Sequence, residues 1–312
     1  MRISKKLYLT SYKKRIPIDA IIEITNRCNL KCRHCYFKDY LNKGGEVEFE
    51  VWREVLKDLR KLGSLFLTFT GGEPLLYPDF FKILKIAKVL NFDIKIFTNG
   101  TLVDEEIASE FKSNGVSSVG VSIYGSNERI HDYFTGVKGS FQKAISSIEI
   151  LKKKGIYVHI KTLLMKRNFE DLRNLRKLAK VLKVDINFDP ILTAGYGFNK
   201  RILRYRLKIE DIKRFFKRYK KRKIEPSNCG AGRNIISIGY KGDVYPCLML
   251  PISFGNIKEG TVLEIWKRME FFELKFCEDC SLKEKCFYCP GIVYLEKGDF
   301  TRFRIFCELA KS

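Results

Sequence analysis

No stretch of the 312 residues approaches the ~18 consecutive apolar residues of a membrane-spanning helix, which excludes a transmembrane chain. The N-terminus, MRISKKLYLTSYKKR, is basic but lacks the apolar block and small-residue cleavage site of a secretory signal. A cytoplasmic location is therefore expected, and with it a reducing environment. Acidic residues are scarce: 36 Asp and Glu face 59 Lys and Arg, a net charge of +23. The 45% apolar and 13% aromatic content excludes disorder, and the length excludes a small disulfide scaffold. A chain of this length buries a large core and suits one barrel-sized domain or two unequal ones.

Cysteine is absent between Cys35 and Cys229, so the ten cysteines fall as three and seven: Cys28, Cys32 and Cys35, then Cys229, Cys247, Cys277, Cys280, Cys286, Cys289 and Cys307. Odd groups in CxxC and CxxxC spacings suit metal ligation better than pairing, because bridges between such close neighbours are strained. Taken alone, CxxxCxxC also fits a zinc loop, and CxxC-x5-CxxC near the C-terminus fits a zinc knuckle.

Between the two groups one unit repeats. Runs rich in β-branched and aromatic residues at 18–24, 65–70, 94–97, 118–123, 156–163 and 185–188 each precede a segment of helical period. The helix at 51–62 sets Trp52, Val55, Leu56, Leu59 and Leu62 on one face, and that at 79–90 sets Phe80, Ile83, Leu84, Ala87 and Leu90. Gly63, Gly115 and Gly155 follow helix ends, where a left-handed residue is needed. Six strand-helix units predict an α/β fold: a partial (β/α)6 TIM-like barrel with its chemistry at the C-terminal strand ends.

The loops at those ends carry the conspicuous residues. After the first strand comes Cys28-Asn-Leu-Lys-Cys32-Arg-His-Cys35, and after the second Thr70-Gly71-Gly72-Glu73-Pro74. CxxxCxxC followed by GGEP resembles the radical S-adenosylmethionine (SAM) superfamily. The resemblance implies that three thiolates hold three corners of a [4Fe-4S] cube and leave one iron for SAM. It implies a SAM site at Gly71, Gly72, Glu73 and Pro74, with the two glycines giving the methionine amino group a close approach to the backbone. His34 occupies the aromatic position beside adenine in relatives. Thr98-Asn99-Gly100 ends the third strand as in many relatives, though it also reads as a plain turn. Ser122-Ile123-Tyr124-Gly125, His131-Asp132 and Gly139-Ser140-Phe141 resemble the family's SxDG, HDxxR and GSF pattern, so Ser122 resembles its SAM-contacting serine. Tyr124 and Thr135 replace the usual Asp and Arg, which leaves the carboxylate clamp of SAM to another residue, with Lys161 as the candidate.

The last seven cysteines resemble the SPASM auxiliary-cluster domain. Cys229-x12-Gly242-x4-Cys247 matches its first half, with a hairpin turning at Lys241-Gly242. The spacing before Cys289 is one residue short of the common pattern. The resemblance implies one auxiliary cluster on Cys277, Cys280, Cys286 and Cys307 and another on Cys229, Cys247 and Cys289, the latter with an open position. That makes three [4Fe-4S] clusters on a barrel domain at 1–225, with its trailing helix, and a cysteine-rich SPASM domain at 226–312.

The segment Lys213–Lys223 reads as a surface helix with a solvated basic face, because Ile209, Ile212, Phe215, Phe216 and Tyr219 recur at helical spacing. The overall charge suits an anionic partner: an acidic peptide, or an acidic electron donor such as flavodoxin or ferredoxin. No aromatic-basic nucleic-acid motif is present, which disfavours a metal-stapled nucleic-acid binder. The expected function is reductive cleavage of SAM to a 5′-deoxyadenosyl radical that modifies a ribosomally made peptide or a protein side chain. A small-molecule or tetrapyrrole substrate is the alternative. With 27 residues before Cys28, a fused leader-binding domain does not fit, so a separate leader-peptide-binding chaperone is expected.

Overall fold

A computed structural model describes residues 3–219, 229–269, 281, 286, 289–300 and 303–311. In chain order the elements are α1 (Ile3–Lys14), β1 (Asp19–Thr25), α2 (Phe49–Lys61), β2 (Phe66–Gly71), α3 (Phe80–Val89), β3 (Asp93–Thr98), α4 (Glu105–Ser113) and β4 (Val116–Ser122). They continue with α5 (Glu128–Thr135), α6 (Ser140–Lys153), β5 (Tyr157–Leu163), α7 (Leu172–Leu182), β6 (Asp185–Asp189), α8 (Ile209–Tyr219), β7 (Ile235–Ile238), β8 (Val244–Tyr245), α9 (Val262–Arg268), α10 (Pro290–Lys297) and α11 (Arg304–Ala310).

The six expected strands form one parallel sheet in sequence order. Alternation along each strand sorts its two faces. Ile94, Ile96, Val158 and Ile160 are buried against the outer helices, while Lys95, Phe97, His159 and Lys161 share the inner face. Trp52, Leu56, Phe69, Phe80 and Leu84 fill the layer between sheet and helices in one continuous apolar core. Gly63, Gly115 and Gly155 all take positive φ past their helix ends. The Asp132 carboxylate accepts from Gly139 N, Ser140 Oγ and Phe141 N at 2.6–2.9 Å, so the GSF segment is the start of α6, capped by Asp132.

Two features go beyond the sequence expectation. α1 lies under the barrel, where Tyr8 stacks on Phe66 with ring centroids 6.2 Å apart. The hairpin of β7 and β8 joins the barrel sheet through parallel pairing of β7 with β1, from Asp19↔Ile235 to Ile22↔Ile238, giving an eight-stranded sheet in the order β6-β5-β4-β3-β2-β1-β7-β8. The cysteine-rich segment therefore starts as an extension of the barrel sheet. No helix among the described residues is long and apolar enough to cross a membrane.

Candidate active site

The C-terminal ends of β1, β2 and β3 are tied together by backbone contacts. Gly72 N donates to Thr25 O at 2.8 Å, and Glu73 N donates to Arg27 O at 2.7 Å. A Cβ on Gly71, whose φ is +125°, would stand 2.4 Å from Thr25 O, and one on Gly72 would stand 2.2 Å from Arg27 O. Both glycines are thus needed to bring their loop against the cysteine loop, before any ligand is considered. Glu73 is fully buried; it accepts from Thr98 Oγ1 and Asn99 N, each at 2.8 Å, and from Leu75 N at 3.4 Å. Burial pushes its carboxyl up to about 7 against these hydrogen bonds. Pro74, also buried, opens the short turn that follows. Asn99 donates to Asn29 Oδ1 at 2.9 Å and its side chain also reaches Cys28, so the third strand's end buttresses the cysteine loop.

Cys28, Cys32 and Cys35 lie within electrostatic reach of one another on this loop. Burial raises all three thiols, Cys35 to about 12; Cys35 and Cys28 raise Cys32 further, Cys28 raises Cys35, and Glu73 raises Cys28. Three soft donors held neutral by burial suit a metal cluster, which deprotonates them on binding. Among the described residues no three His, Cys, Asp or Glu side chains are grouped to hold a single metal ion.

Beside the loop stands an aromatic wall. His34 packs edge-on against Tyr124 at 4.3 Å and against Phe134 at 5.8 Å. Burial lowers His34 to about 3 and His131 to about 4, so both imidazoles are neutral. His131 Nδ1 accepts from Tyr124 N at 3.2 Å, a structural hydrogen bond. Among the described residues, His34 Nδ1 and His131 Nε2 are buried without a hydrogen-bond partner. Ser122 hydrogen-bonds Tyr124. Lys161, paired with Ser122 in the sheet register, places Nζ 3.1 Å from the centroid of the Phe97 ring. Burial lowers its pKa to about 8, partly offset by Asp189.

A second thiol group forms beyond the hairpin. Burial raises Cys229, Cys247 and Cys289, Cys247 to about 12; Cys229 and Cys289 raise Cys247 further, and Cys229 raises Cys289. Cys286 and Cys307 belong to a neighbouring segment, where Cys286 Sγ lies 3.8 Å from Phe306 O. Cys277 and Cys280 fall outside the described residues. The eight described cysteines are free thiols.

The radical SAM superfamily profile matches residues 22–179, and that of the iron-sulfur cluster-binding SPASM domain matches residues 229–290. The chain belongs to the radical SAM superfamily. This radical SAM enzyme is 29% identical to the AdoMet-dependent heme synthase of Methanosarcina barkeri, over 91% of its own length and 94% of that protein. It is 28% identical to the antilisterial bacteriocin subtilosin biosynthesis protein AlbA of Bacillus subtilis, over 95% of its length and 72% of that protein. Its fold matches Streptococcus suis SuiB bound to precursor peptide SuiA with a TM-score of 0.75 at 18% identity, covering 97% of this chain and 80% of that one. SAM and iron-sulfur clusters are accordingly the cofactors of this radical SAM protein.

One site residue was not singled out from the sequence. Glu23 of β1 is 1% exposed, and its Oε1 accepts from Tyr36 OH at 2.8 Å and Tyr196 OH at 3.2 Å. Burial pushes its carboxyl up to about 7. The signal was present: a glutamate interrupts the apolar strand Asp-Ala-Ile-Ile-Glu-Ile-Thr, on the inner face. Glu23 forms part of the lining of a cavity of about 270 Å³ between the barrel mouth, the β7-β8 hairpin and α10.

Proposed function

We propose that this radical SAM enzyme modifies a ribosomally synthesised peptide or a protein side chain, forming a thioether, a carbon-carbon bond or an epimer. The observation that carries this reading is the cavity beside the cysteine loop. At about 270 Å³, with Glu23 and Asp243 in its lining, it suits one amino-acid side chain. A tetrapyrrole is larger than this volume.

In this reading Cys28, Cys32 and Cys35 hold the cluster that, with SAM bound, supplies the electron for cleavage to methionine and a 5′-deoxyadenosyl radical. Gly71, Gly72, Glu73, Pro74, Asn99, Ser122 and His34 line the SAM site. Glu73 fixes the end of β3 against the motif loop, Asn99 supports the cysteine loop, and His34 with Tyr124 offers a neutral aromatic wall to adenine. Lys161 is the cation for the methionine carboxylate. Cys229, Cys247 and Cys289 hold an auxiliary cluster with an open position, and Cys277, Cys280, Cys286 and Cys307 hold a closed one, three [4Fe-4S] clusters in all. The domains divide at 225/226. The basic surface suits an acidic flavodoxin or ferredoxin as electron donor, a separate chaperone presents the leader peptide, and the enzyme works in the cytoplasm.

The test is co-expression with the short open reading frame nearest the gene, followed by mass spectrometry of the peptide. A discrete mass change that depends on Cys28, Cys32 and Cys35 supports the proposal; an unmodified peptide beside a converted iron-porphyrin rejects it. The tetrapyrrole reading draws on the heme synthase of Methanosarcina barkeri, which aligns over nearly the whole of both chains.

A further inference from the structure

The Glu23 cavity has a composition unlike the rest of this basic protein. Tyr196, Tyr240, Tyr245 and Tyr294 contribute to its walls, Glu23 lies buried in its lining, and Asp243 adds a second carboxylate. Among the described residues, both hydrogen bonds to Glu23 come from neutral phenols and both go to Oε1. Tyr196 has one proton to share between Glu23 and Leu248 O, 3.0 Å away, so even that bond is partial. A buried carboxylate with this little compensation calls for a positive partner. Aromatic faces around it favour the same kind of ligand, because their quadrupoles attract cations.

The chain itself supplies a precedent. Lys241, at the hairpin turn, also lines the cavity and carries its Nζ 5.7 Å from the Tyr240 ring centroid. One wall of the cavity thus already holds a cation. The walls are also built with care: a Cβ on Gly239 would stand 3.0 Å from the Tyr245 ring, and one on Gly197 would stand 3.1 Å from Tyr40 OH. Phe198, in a left-handed conformation at φ 60° and 47% exposed, packs on Tyr294 at 5.6 Å along the rim.

We propose that this cavity is a recognition site for a cationic side chain, lysine or arginine, of the substrate, with Glu23 as the buried counter-charge and the tyrosines as an aromatic cage. The assignment rests on the peptide reading above and names what that peptide presents. Lys241, a like charge in the same lining, opposes the cation that the substrate brings.

The test is direct binding to the anaerobically purified holoenzyme, followed by saturation-transfer NMR and calorimetry. The probes are Nα-acetyl-lysine amide and Nα-acetyl-arginine amide, with the norleucine and glutamate amides as neutral and acidic controls. The cationic probes are expected to bind at least about tenfold more tightly than either control, the difference of one charge-assisted contact. Glu23→Gln should remove that preference, and Lys241→Met should strengthen cation binding. If Glu23→Gln fails to fold, as judged by circular dichroism, Asp243→Asn takes its place and should weaken the cationic probes. Norleucine binding as tightly as lysine in the wild type, or cation binding unchanged by both Lys241→Met and the carboxylate variant, overturns the proposal. These affinities do not depend on turnover, so failure to detect a modified peptide leaves them standing and counts against the peptide reading alone.

Discussion

Gly72 and Arg27 meet backbone to backbone, so closely that a Cβ on the glycine would stand 2.2 Å from the arginine carbonyl oxygen. The motif after β2 and the cysteine loop after β1 are one structural unit. Gly72→Val should therefore lose iron and sulfide together with SAM affinity, because the side chain forces the cysteine loop away. Iron and sulfide analysis after anaerobic reconstitution checks this; full cluster content with only SAM binding weakened would restrict the glycine to a ligand-facing role.

Changing Cys28, Cys32 and Cys35 together to Ala should abolish reductive formation of 5′-deoxyadenosine while leaving the fold intact. The loop is held by Asn99, Gly72 and Glu73 independently of its thiols. Chromatographic assay of 5′-deoxyadenosine beside a circular dichroism spectrum tests it, and retained cleavage in the triple variant would refute the assignment.

On the proposed partition of the thiols as three, three and four, the reconstituted protein should contain about 12 iron and 12 sulfide per chain. Stoichiometric zinc with little sulfide is the contrary outcome.

Cys289→Ala should uncouple the two halves of the reaction. The first cysteine loop is untouched, so 5′-deoxyadenosine still forms, while modified product disappears because the group at Cys229 and Cys247 loses its third thiol. Product yield at the wild-type level would reduce that group to a structural role.

Glu73 makes stability depend on pH with a defined sign. Its carboxyl is raised by burial from an ordinary 4.5 to about 7, so between these values the folded protein holds a proton that the unfolded chain has released. Stability should fall as pH rises through that window, by up to about 3 kcal/mol at about 1.4 kcal/mol per tenfold change in proton affinity. Thermal unfolding of the SAM-free protein under anaerobic conditions, from pH 5 to 8, should show a shallower decline in Glu73→Gln than in the wild type.

Much of this architecture was legible because its signals are local. Parallel strands buried on one face and amphipathic helices repeat on fixed periods, and residues such as Leu56, Ile83 and Leu175 announce their faces within a few positions. The cysteine and glycine motifs are local as well. What the sequence could not reveal was long-range pairing. Nothing near Ile236 indicates that its strand will lie beside Ala20, and nothing near Glu23 names Tyr196 as its partner, because both contacts are made only when distant segments close on the barrel. α1 escaped notice for another reason: its exposed face includes Leu7, Tyr8 and Leu9, so no clean apolar stripe marks it.

The pairing of β7 with β1 has a bearing on electron traffic. β1, which launches the first cysteine loop, lies beside β7, with Ile22 opposite Ile238, and β7 in turn pairs with β8, which runs into Cys247. The spacing of the two cysteine-bearing loops is consequently fixed by backbone register and not by a hinge. A slip of one residue would displace one loop by about 3.3 Å and turn every inward side chain of β7 outward. Were both loops to carry clusters as proposed, that ladder would act as a ruler, holding the distance between them constant while substrates come and go.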